Sequence, residues 1–323
     1  MNHPSATRRD VMLGAALAAL LPSAAARAAA PFLNAPAAPW YRFKIGEFEA
    51  TIVSDGPLAL GKPEGAFSGA GPGELDKMLM DNFLPTDNVV LEQNALVLNT
   101  GRQLVLFDTG MGAYKMFGPT TGRLLTNLKL AGFEPSQFDA VVLTHAHSDH
   151  CFGLIGEGGQ PNFPNAGVHL AKADLDFWTD EAKLGNAMMR DFVAGARQQL
   201  LPLRDRISFV EDGKEVVPGD TAMHAPGHTV GHMAYAVSSG TKSLLLTGDL
   251  AHHQVIILQK PRLEFAYDTD PKQAVASRIR AFDMAAANRM PVLSYHFPFP
   301  GLGHVSKAGD GFQWHPMPMQ TLL

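Results

Sequence analysis

The sequence is poor in the residue types that several classes of protein require. It has one cysteine among 323 residues, Cys151, which excludes an internal disulfide and every zinc site built from several cysteines. It has no long block of lysine or arginine and a net charge of -5, which argues against a nucleic-acid surface, because phosphate binding needs concentrated positive charge. Any metal site in this chain therefore depends on imidazole and carboxylate ligands.

The sequence also lacks the turn that carries the nucleophile of many serine hydrolases. No Gly-x-Ser-x-Gly segment occurs in the chain, so a hydrolase built on that turn is not indicated. The chain is 46% hydrophobic and 18% charged, and at this length such a composition is enough to bury a substantial core.

The first thirty residues are typical of an export signal. Arg8 and Arg9 precede an apolar run over residues 11–21, and small residues follow it. The run is too short to cross a bilayer, and the paired arginines resemble a twin-arginine signal. We therefore expect residues 1–30 to be a signal peptide, residues 31–323 to form a single domain, and the mature protein to be periplasmic or secreted with no membrane span.

The rest of the chain alternates between strand-like and helix-like segments. Short β-branched runs that end in turn residues predict strands at 48–56, 94–101, 103–110, 139–145, 167–172, 221–228, 232–237, 243–249 and 291–296. Amphipathic spacing predicts helices near 74–83, 121–133, 173–179, 186–201 and 271–288. A stretch rich in glycine and proline, 57–73, is expected to be a loop.

The segment VVLTHAHSDHC, residues 141–151, concentrates metal-binding side chains at the end of a predicted strand. It contains His145, His147, Asp149 and His150, and further candidates follow other apolar runs at His228, Asp249 and His296. A mononuclear zinc site needs three protein ligands and a water, so this set is too large for one ion. The economical interpretation is two ions about 3.5–4 Å apart that share one carboxylate and one hydroxide.

These residues resemble the motif set of the metallo-β-lactamase superfamily. Its His-x-His-x-Asp-His motif stands here at residues 145–150, and its later ligands have counterparts in PGHTVGH, LLTGDL and LSYHFPFPGLGH. An Asp-Thr-Gly strand end at residues 108–110 precedes the motif, as in the family. The resemblance implies an α/β fold, an αβ/βα four-layer sandwich in which two mixed β-sheets are flanked by helices, with the site at one sheet edge.

The resemblance also implies a role for each candidate residue. One ion would be held by His145, His147 and His228, the other by Asp149, His150 and His296, and Asp249 would bridge them and accept a proton from the attacking water. Because this ligand set is complete, we expect Asp108 and His232 to support the ligands by hydrogen bonds instead of binding metal; Asp108 also suits a turn cap and His232 the start of a strand. The two divalent ions are expected to be Zn²⁺, while Mn²⁺, Co²⁺ and Fe²⁺ also suit such ligands.

Three longer segments, KMFGPTTGRLLTNLKLAGF, ADLDFW and FPFPGLGHVSKAGDGFQWHPM, are similar to one exported branch of that superfamily. The branch contains methyl parathion hydrolase and related hydrolases of lactones and aryl esters. By this resemblance Phe117, Trp178 and Phe192 are candidates to line an aromatic pocket over the metals. His252, His253 and His304 are expected at the surface or the pocket edge, and of the three His304 is the candidate for the substrate pocket. We therefore expect a metal-bridging hydroxide to attack lactones, aryl esters or organophosphate triesters, all small and neutral.

Other functions remain open at this stage. The superfamily includes iron-containing oxidoreductases and β-lactam hydrolases, and imidazole and carboxylate ligands do not exclude iron. A metal-binding module without catalysis is a third alternative, although such a module needs no apolar pocket. The family often forms homodimers, and the apolar segment 187–203 is a candidate interface. Neither a nucleic acid nor a membrane is an expected partner.

Overall fold

The computed structural model describes residues 30, 32–33 and 37–322. The chain divides into a segment that ends at Ala37 and a unit that runs from Ala38 to Leu323. The described residues of the first segment have no regular secondary structure. The predicted signal peptide lies outside the described residues except for residue 30, so that assignment remains a prediction.

The strands form two large mixed sheets. The first has the order β1-β2-β6-β7-β8-β9-β10 and is parallel from β7 to β10; it consists of Trp40–Ile45, Phe48–Ser54, Asn94–Asn99, Leu104–Phe107, Ala140–Val142, Gly167–Ala171 and Ile207–Val210. The second has the order β11-β12-β13-β15-β16-β17 and consists of Asp220–His224, Met233–Ser239, Lys242–Leu246, Val292–Leu293, Leu302–Ala308 and Gly311–Pro316. Two short pairs complete the set: β3 (Leu58–Gly61) with β5 (Val89–Leu91), and β4 (Phe67–Ser68) with β14 (Glu264–Phe265).

Five of the helices lie within a few residues of the predicted segments, and the two four-residue helices, Ser148–Cys151 and Ile256–Gln259, were not predicted. In chain order the helices are α1 Glu74–Asp81, α2 Leu124–Leu130, α3 Ser148–Cys151, α4 Lys172–Thr179, α5 Arg190–Leu200, α6 Ile256–Gln259 and α7 Pro271–Ala287. The start of α7 shows why the sequence was informative: Pro271 occupies the first turn, and the side chain of Asp270 accepts a hydrogen bond from the Gln273 N–H. None of the helices in the described ranges combines the length and apolar character of a bilayer-spanning segment.

The two sheets pack face to face, because alternate residues of each strand point to opposite faces. In β6, Leu96 and Leu98 join the cluster between the sheets, whereas Ala95 and Val97 join the cluster on the outer face. The ring of Phe107 from the first sheet contacts that of Tyr235 from the second, with centroids 5.4 Å apart.

Helices cover both outer faces of this pair of sheets. Residues of α2, α4 and α5 pack on the seven-stranded sheet, and residues of α1, α6 and α7 pack on the six-stranded sheet. The result is four layers in the order helix, sheet, sheet, helix, which confirms the predicted αβ/βα sandwich.

Three strand ends define the edge at which the candidate ligands meet. Strands β8, β13 and β15 end at Val142, Leu246 and Leu293, and the candidates His145, Asp249 and His296 each lie three residues beyond. Strands β13 and β15 are parallel, with Leu246 opposite Leu293, so their two ligands leave the sheet at the same edge.

Two predicted elements differ from the structure. The strand predicted at 221–228 ends at His224, because Pro226 cannot donate to a strand ladder and Gly227 adopts a φ of 129°. His228 therefore lies on a loop. The loop predicted at 57–73 instead contains β3 and β4, whose partner strands are distant in the sequence.

Candidate metal centre

Seven buried side chains converge at this edge of the two sheets: His145, His147, Asp149, His150, His228, Asp249 and His296. They fall into two groups. Potential ligand atoms of His145, His147 and His228 lie within 4.8 Å of one another, and so do those of the other four residues. The structure thus brings together all seven residues that the sequence singled out, and Asp249 lies both with the second group and in a further group with His228 and His252.

Asp249 contacts both groups. Its Oδ2 atom lies 3.1 Å from Nε2 of His228 and 3.1 Å from Nε2 of His296, and its Oδ1 atom lies 3.2 Å from Nε2 of His150. One carboxylate therefore occupies the position between the groups that a bridging ligand requires.

The backbone around Asp249 is fixed by its neighbours. Its N–H donates to Nε2 of His232 at 3.0 Å, so His232 fixes the backbone that carries this ligand. Gly248 has a φ of 49°, and a Cβ at this position would lie 2.7 Å from the same His232 nitrogen. Only glycine fits this close approach without displacing the imidazole.

Asp108 supports His150 in the same way. Its Oδ2 atom lies 2.9 Å from Nδ1 of His150, and its carboxylate also accepts hydrogen bonds from N and Oγ1 of Thr144, at 2.8 and 2.9 Å. Asp108 itself adopts a left-handed φ of 62°. A carboxylate on one imidazole nitrogen fixes the orientation of the ring and leaves the other nitrogen free for a metal.

Two residues around the cluster, Asp268 and Asp174, were not identified from the sequence, and a third, His252, lies closer to the ligands than expected. Asp268 Oδ1 lies 2.8 Å from Nδ1 of His228, and Asp174 accepts hydrogen bonds from residues that flank several of the histidines. His252, expected at the surface or pocket edge, is buried beside the cluster: its Nε2 atom lies 3.1 Å from Asp249 Oδ2 and its ring stacks on Phe265 at 3.7 Å. Its spacing of three residues from Asp249, about one helical turn, is the one local signal that would have indicated this contact.

The charges of the cluster are set by burial and by close opposite charges. Burial, reinforced by His150, holds the pKa of His145 well below its usual range, so this imidazole is neutral, as a metal ligand must be. Burial acts to lower the pKa of His228 as well, but Asp249 and Asp268 outweigh it and raise that pKa to about 9, so a cation that binds here would displace the proton of this imidazole. Burial acts to raise the pKa of Asp249, but His150 and His296 hold it well below its usual range, so Asp249 is a carboxylate.

The donor set fits a pair of divalent cations. Nε2 of His145, Nε2 of His150 and Oδ1 of Asp249 are buried and have no hydrogen-bond partner within the described part of the chain, although buried polar atoms are normally satisfied. Nδ1 of His147 and Nε2 of His228 face each other at 2.9 Å. Imidazole nitrogens and carboxylate oxygens are the ligands expected for zinc, and also suit manganese, cobalt and iron.

A cavity of about 320 Å³ lies over the cluster. Phe117, Trp178 and Phe192 line it, together with further apolar residues such as Phe265 and Tyr267. The ring centroid of Trp178 is 4.7 Å from that of His147, and the centroid of Phe192 is 6.3 Å from it. No lysine or arginine is among the described residues that line the cavity.

His304, the fourth predicted pocket residue, does not line this cavity. It lies on β16, which runs antiparallel to β15 with Gly303 opposite Val292. The chain beyond His296 therefore turns back, and β16 carries His304 towards the beginning of β15, away from the ligand edge. There it pairs with His315 of β17.

Known proteins share both the sequence and the architecture of this chain. The metallo-beta-lactamase superfamily profile matches residues 89–289. The structure of AidC, a dizinc quorum-quenching lactonase, is 29% identical with a TM-score of 0.82 and covers 87% of this chain and 98% of that chain. The hydrolase AbOPH is also 29% identical, with a TM-score of 0.81, and covers 88% and 100%.

A curated relative, the N-acyl homoserine lactonase AttM of Rhizobium johnstonii, is 33% identical over 132 residues, which are 39% of this chain and 46% of the relative. The chain spans less than two thirds of the length of several curated relatives that it matches. The superfamily profile itself covers more than half of the chain, and six of the seven clustered residues lie within the matched range, with His296 beyond its end. The chain belongs to the metallo-β-lactamase superfamily.

Proposed function

We propose that this protein is a dinuclear metal-dependent hydrolase that acts on neutral lactones. The observation that carries the proposal is the position of seven buried imidazole and carboxylate ligands at the floor of a cavity with aromatic walls. The similarity to AidC and AttM, both described as lactonases, supports the substrate class.

Each group of ligands would hold one cation. His145, His147 and His228 would bind one, Asp149, His150 and His296 the other, and Asp249 would bind both. Zinc is the cation we expect, and manganese, cobalt and iron are also compatible with these ligands. When bound, the two cations lower the pKa of water and polarise the carbonyl or phosphoryl oxygen of the substrate.

The remaining steps fall to side chains of the protein. The carboxylate of Asp249 lies between the two groups and is positioned to accept a proton as water adds to the substrate. Trp178 and Phe192 lie beside His147 and hold the apolar part of the substrate against the ligand cluster. Their burial of apolar surface also excludes bulk water from the reacting atoms.

The lining of the cavity favours neutral substrates over anionic ones. A β-lactam carries a carboxylate, which is best paired with a cationic side chain when it is buried, and the described lining residues include neither lysine nor arginine. A β-lactam hydrolase is therefore the weaker alternative. Aryl esters and organophosphate triesters are neutral and electrophilic, so we extend the proposal to them, in line with the resemblance to methyl parathion hydrolase.

An iron-containing oxidoreductase is the alternative that the ligands themselves do not exclude. One panel separates the candidates: an acyl lactone, an aryl ester, methyl parathion and a penicillin, each with zinc-reconstituted and with iron-reconstituted protein, under air and under strictly anaerobic conditions. The proposal expects lactone hydrolysis at equal rates in both atmospheres and the least turnover with the penicillin. Oxygen consumption coupled to turnover, or no hydrolysis of the lactone, ester or triester, would overturn it.

Two further properties are proposed from the sequence. We propose that residues 1–30 export the protein, and replacement of Arg8 and Arg9 by lysine should retain it in the cytoplasm if the twin-arginine interpretation is correct. We also retain the proposal of a homodimer, to be tested by light scattering. In the segment 187–203, Val193, Ala196 and Leu200 pack into the protein core, so an interface there would use the other side of α5.

A further inference from the structure

Arg278, on α7, is completely buried, which is rare for an arginine. Its Nε atom donates to the carbonyl of Leu250 at 2.6 Å, and its Nη1 atom donates to the carbonyls of Pro261 and Leu263, both at 2.9 Å. A guanidinium group remains charged in proteins and offers five donors in a fixed plane. The interior of the protein therefore contains a permanent positive charge.

The carbonyls that bind Arg278 belong to two segments that lead to the metal centre. Leu250 directly follows Asp249, the residue between the two ligand groups. Pro261 and Leu263 begin the segment 261–269, which we call the strap; it carries Phe265 and Tyr267 on the cavity wall. The strap also contacts the loop that carries another ligand, His228, because Thr269 N donates to the His228 carbonyl at 2.9 Å.

The strap also carries Asp268, the charge that faces Arg278. Nη2 of Arg278 lies 3.7 Å from Oδ2 of Asp268, and both side chains are fully buried. Neither of these two atoms has another partner among the described residues. An unpaired buried charge is very costly, so each group compensates the other. The second oxygen of Asp268, Oδ1, lies 2.8 Å from Nδ1 of His228.

We propose that Arg278 is a positioning residue of the metal centre, which holds Asp268 against Nδ1 of His228 so that Nε2 of His228 faces the cation and Asp249. The inference rests on the metal binding in the proposed function. The hydrogen bonds from Arg278 to the carbonyls of Leu250, Pro261 and Leu263 also fix the turn after Asp249 and the cavity wall relative to His228. Mutation of a residue that hydrogen-bonds to a metal-binding imidazole typically lowers metal affinity by about 10- to 100-fold.

The test measures zinc affinity directly, by competition with a chromophoric chelator and without substrate. Arg278→Gln and Asp268→Asn should each weaken zinc binding by about 10- to 100-fold. The double variant should bind zinc no more weakly than the single variant that has the lower zinc affinity. Arg278→Lys, which keeps the charge, should recover part of the loss. Arg280→Gln is the matched control, since this residue on the same helix is exposed and donates a hydrogen bond to the His224 carbonyl, away from Asp268. It should bind zinc like the wild type.

Wild-type zinc affinity in Arg278→Gln or in Asp268→Asn would overturn the proposal, and so would losses that multiply in the double variant. If Arg278→Gln does not fold, the comparison moves to the Arg278→Lys background. There, the double variant Arg278→Lys/Asp268→Asn should bind zinc no more weakly than Asp268→Asn alone, and a total loss equal to the product of the two single losses would again contradict the proposal. Because zinc is the only probe, a protein that meets these expectations but hydrolyses no lactone would contradict the proposed function and leave the role of Arg278 intact.

Discussion

The carboxylate of Asp174 accepts a hydrogen bond from the backbone N–H of Ala146 at 2.9 Å, between two of the candidate metal ligands. The same carboxylate accepts from Oγ1 of Thr229 at 2.9 Å and from N of Gly231 at 2.6 Å. One buried side chain on α4 thus joins the loop that follows β8 to the loop that follows β11. The ligands of the first group lie on these two loops, so their spacing depends on this contact.

We therefore expect Asp174→Ala to lower the free energy of unfolding by about 3 kcal/mol, because three buried donors lose their acceptor. The variant should also bind zinc more weakly than the wild type. Denaturant unfolding and chelator competition measure the two effects. Asp176→Ala is the matched control on the same helix, since Asp176 is exposed and forms a surface ion pair with Lys172; equal losses in both variants would contradict a specific role for Asp174.

Asp249→Ala should remove more metal and more activity than any change at His304. Asp249 contacts both ligand groups, whereas His304 lies on β16 outside the cavity. We expect Asp249→Ala to lower turnover by at least about 100-fold and His304→Ala to leave it near the wild-type value. Metal analysis of the purified variants together with initial rates decides the matter, and equal metal content and turnover in the two would refute the bridging role.

Phe192→Ala should raise KM and change kcat little, because this ring holds the apolar part of the substrate and does not contact the reacting atoms. Loss of one aromatic wall contact costs about 1–2 kcal/mol, which corresponds to about a 10-fold rise in KM. The effect should grow with the length of the apolar arm across a series of lactones. Phe209→Ala is the control, since Phe209 is exposed on β10, and a flat response across the series would exclude Phe192 from substrate binding.

Asp220 predicts a pH dependence of stability that is independent of the metal centre. Burial raises its pKa to about 6, against hydrogen bonds from the Val216 and Val217 N–H groups. Since the unfolded value is about 3.9, the folded state binds the proton more tightly, and the contribution of Asp220 to stability falls as pH rises from about 4 to 6. Asp220→Asn removes this titration. Its free energy of unfolding, measured relative to that of the wild type, should therefore rise by up to about 3 kcal/mol between pH 4 and pH 7.

Urea unfolding of both proteins across this pH range tests the Asp220 prediction. Asp310→Asn, at an exposed turn position, should show no such trend. A stability difference between Asp220→Asn and the wild type that stays constant with pH would show that Asp220 does not titrate in this window.

The ligands were predictable because they are encoded locally. His145, Asp249 and His296 each follow a short apolar strand at the same distance, and the remaining ligands lie in short motifs. The two large sheets were predictable for a related reason: residues such as Leu96 and Val97 alternate between two buried faces, and α7 carries its own capping signals.

The contacts that were missed depend on partners far apart in the sequence. Phe67 pairs with Phe265 in the two-residue strands β4 and β14, and Asp268 meets His228 across 40 positions. Nothing in the residues around either partner indicates such a contact. The misplacement of His304 has the same origin, since only the register of β16 on β15 shows that the chain leads it away from the site.

The most direct test is to count the cations per folded chain by native mass spectrometry and to follow lactone turnover as they are removed and restored. The account predicts two divalent cations per chain, loss of turnover on treatment with a strong chelator, and recovery when zinc is added back. A fully reconstituted protein that holds one cation, or a chelated protein that still hydrolyses the lactone, would contradict it.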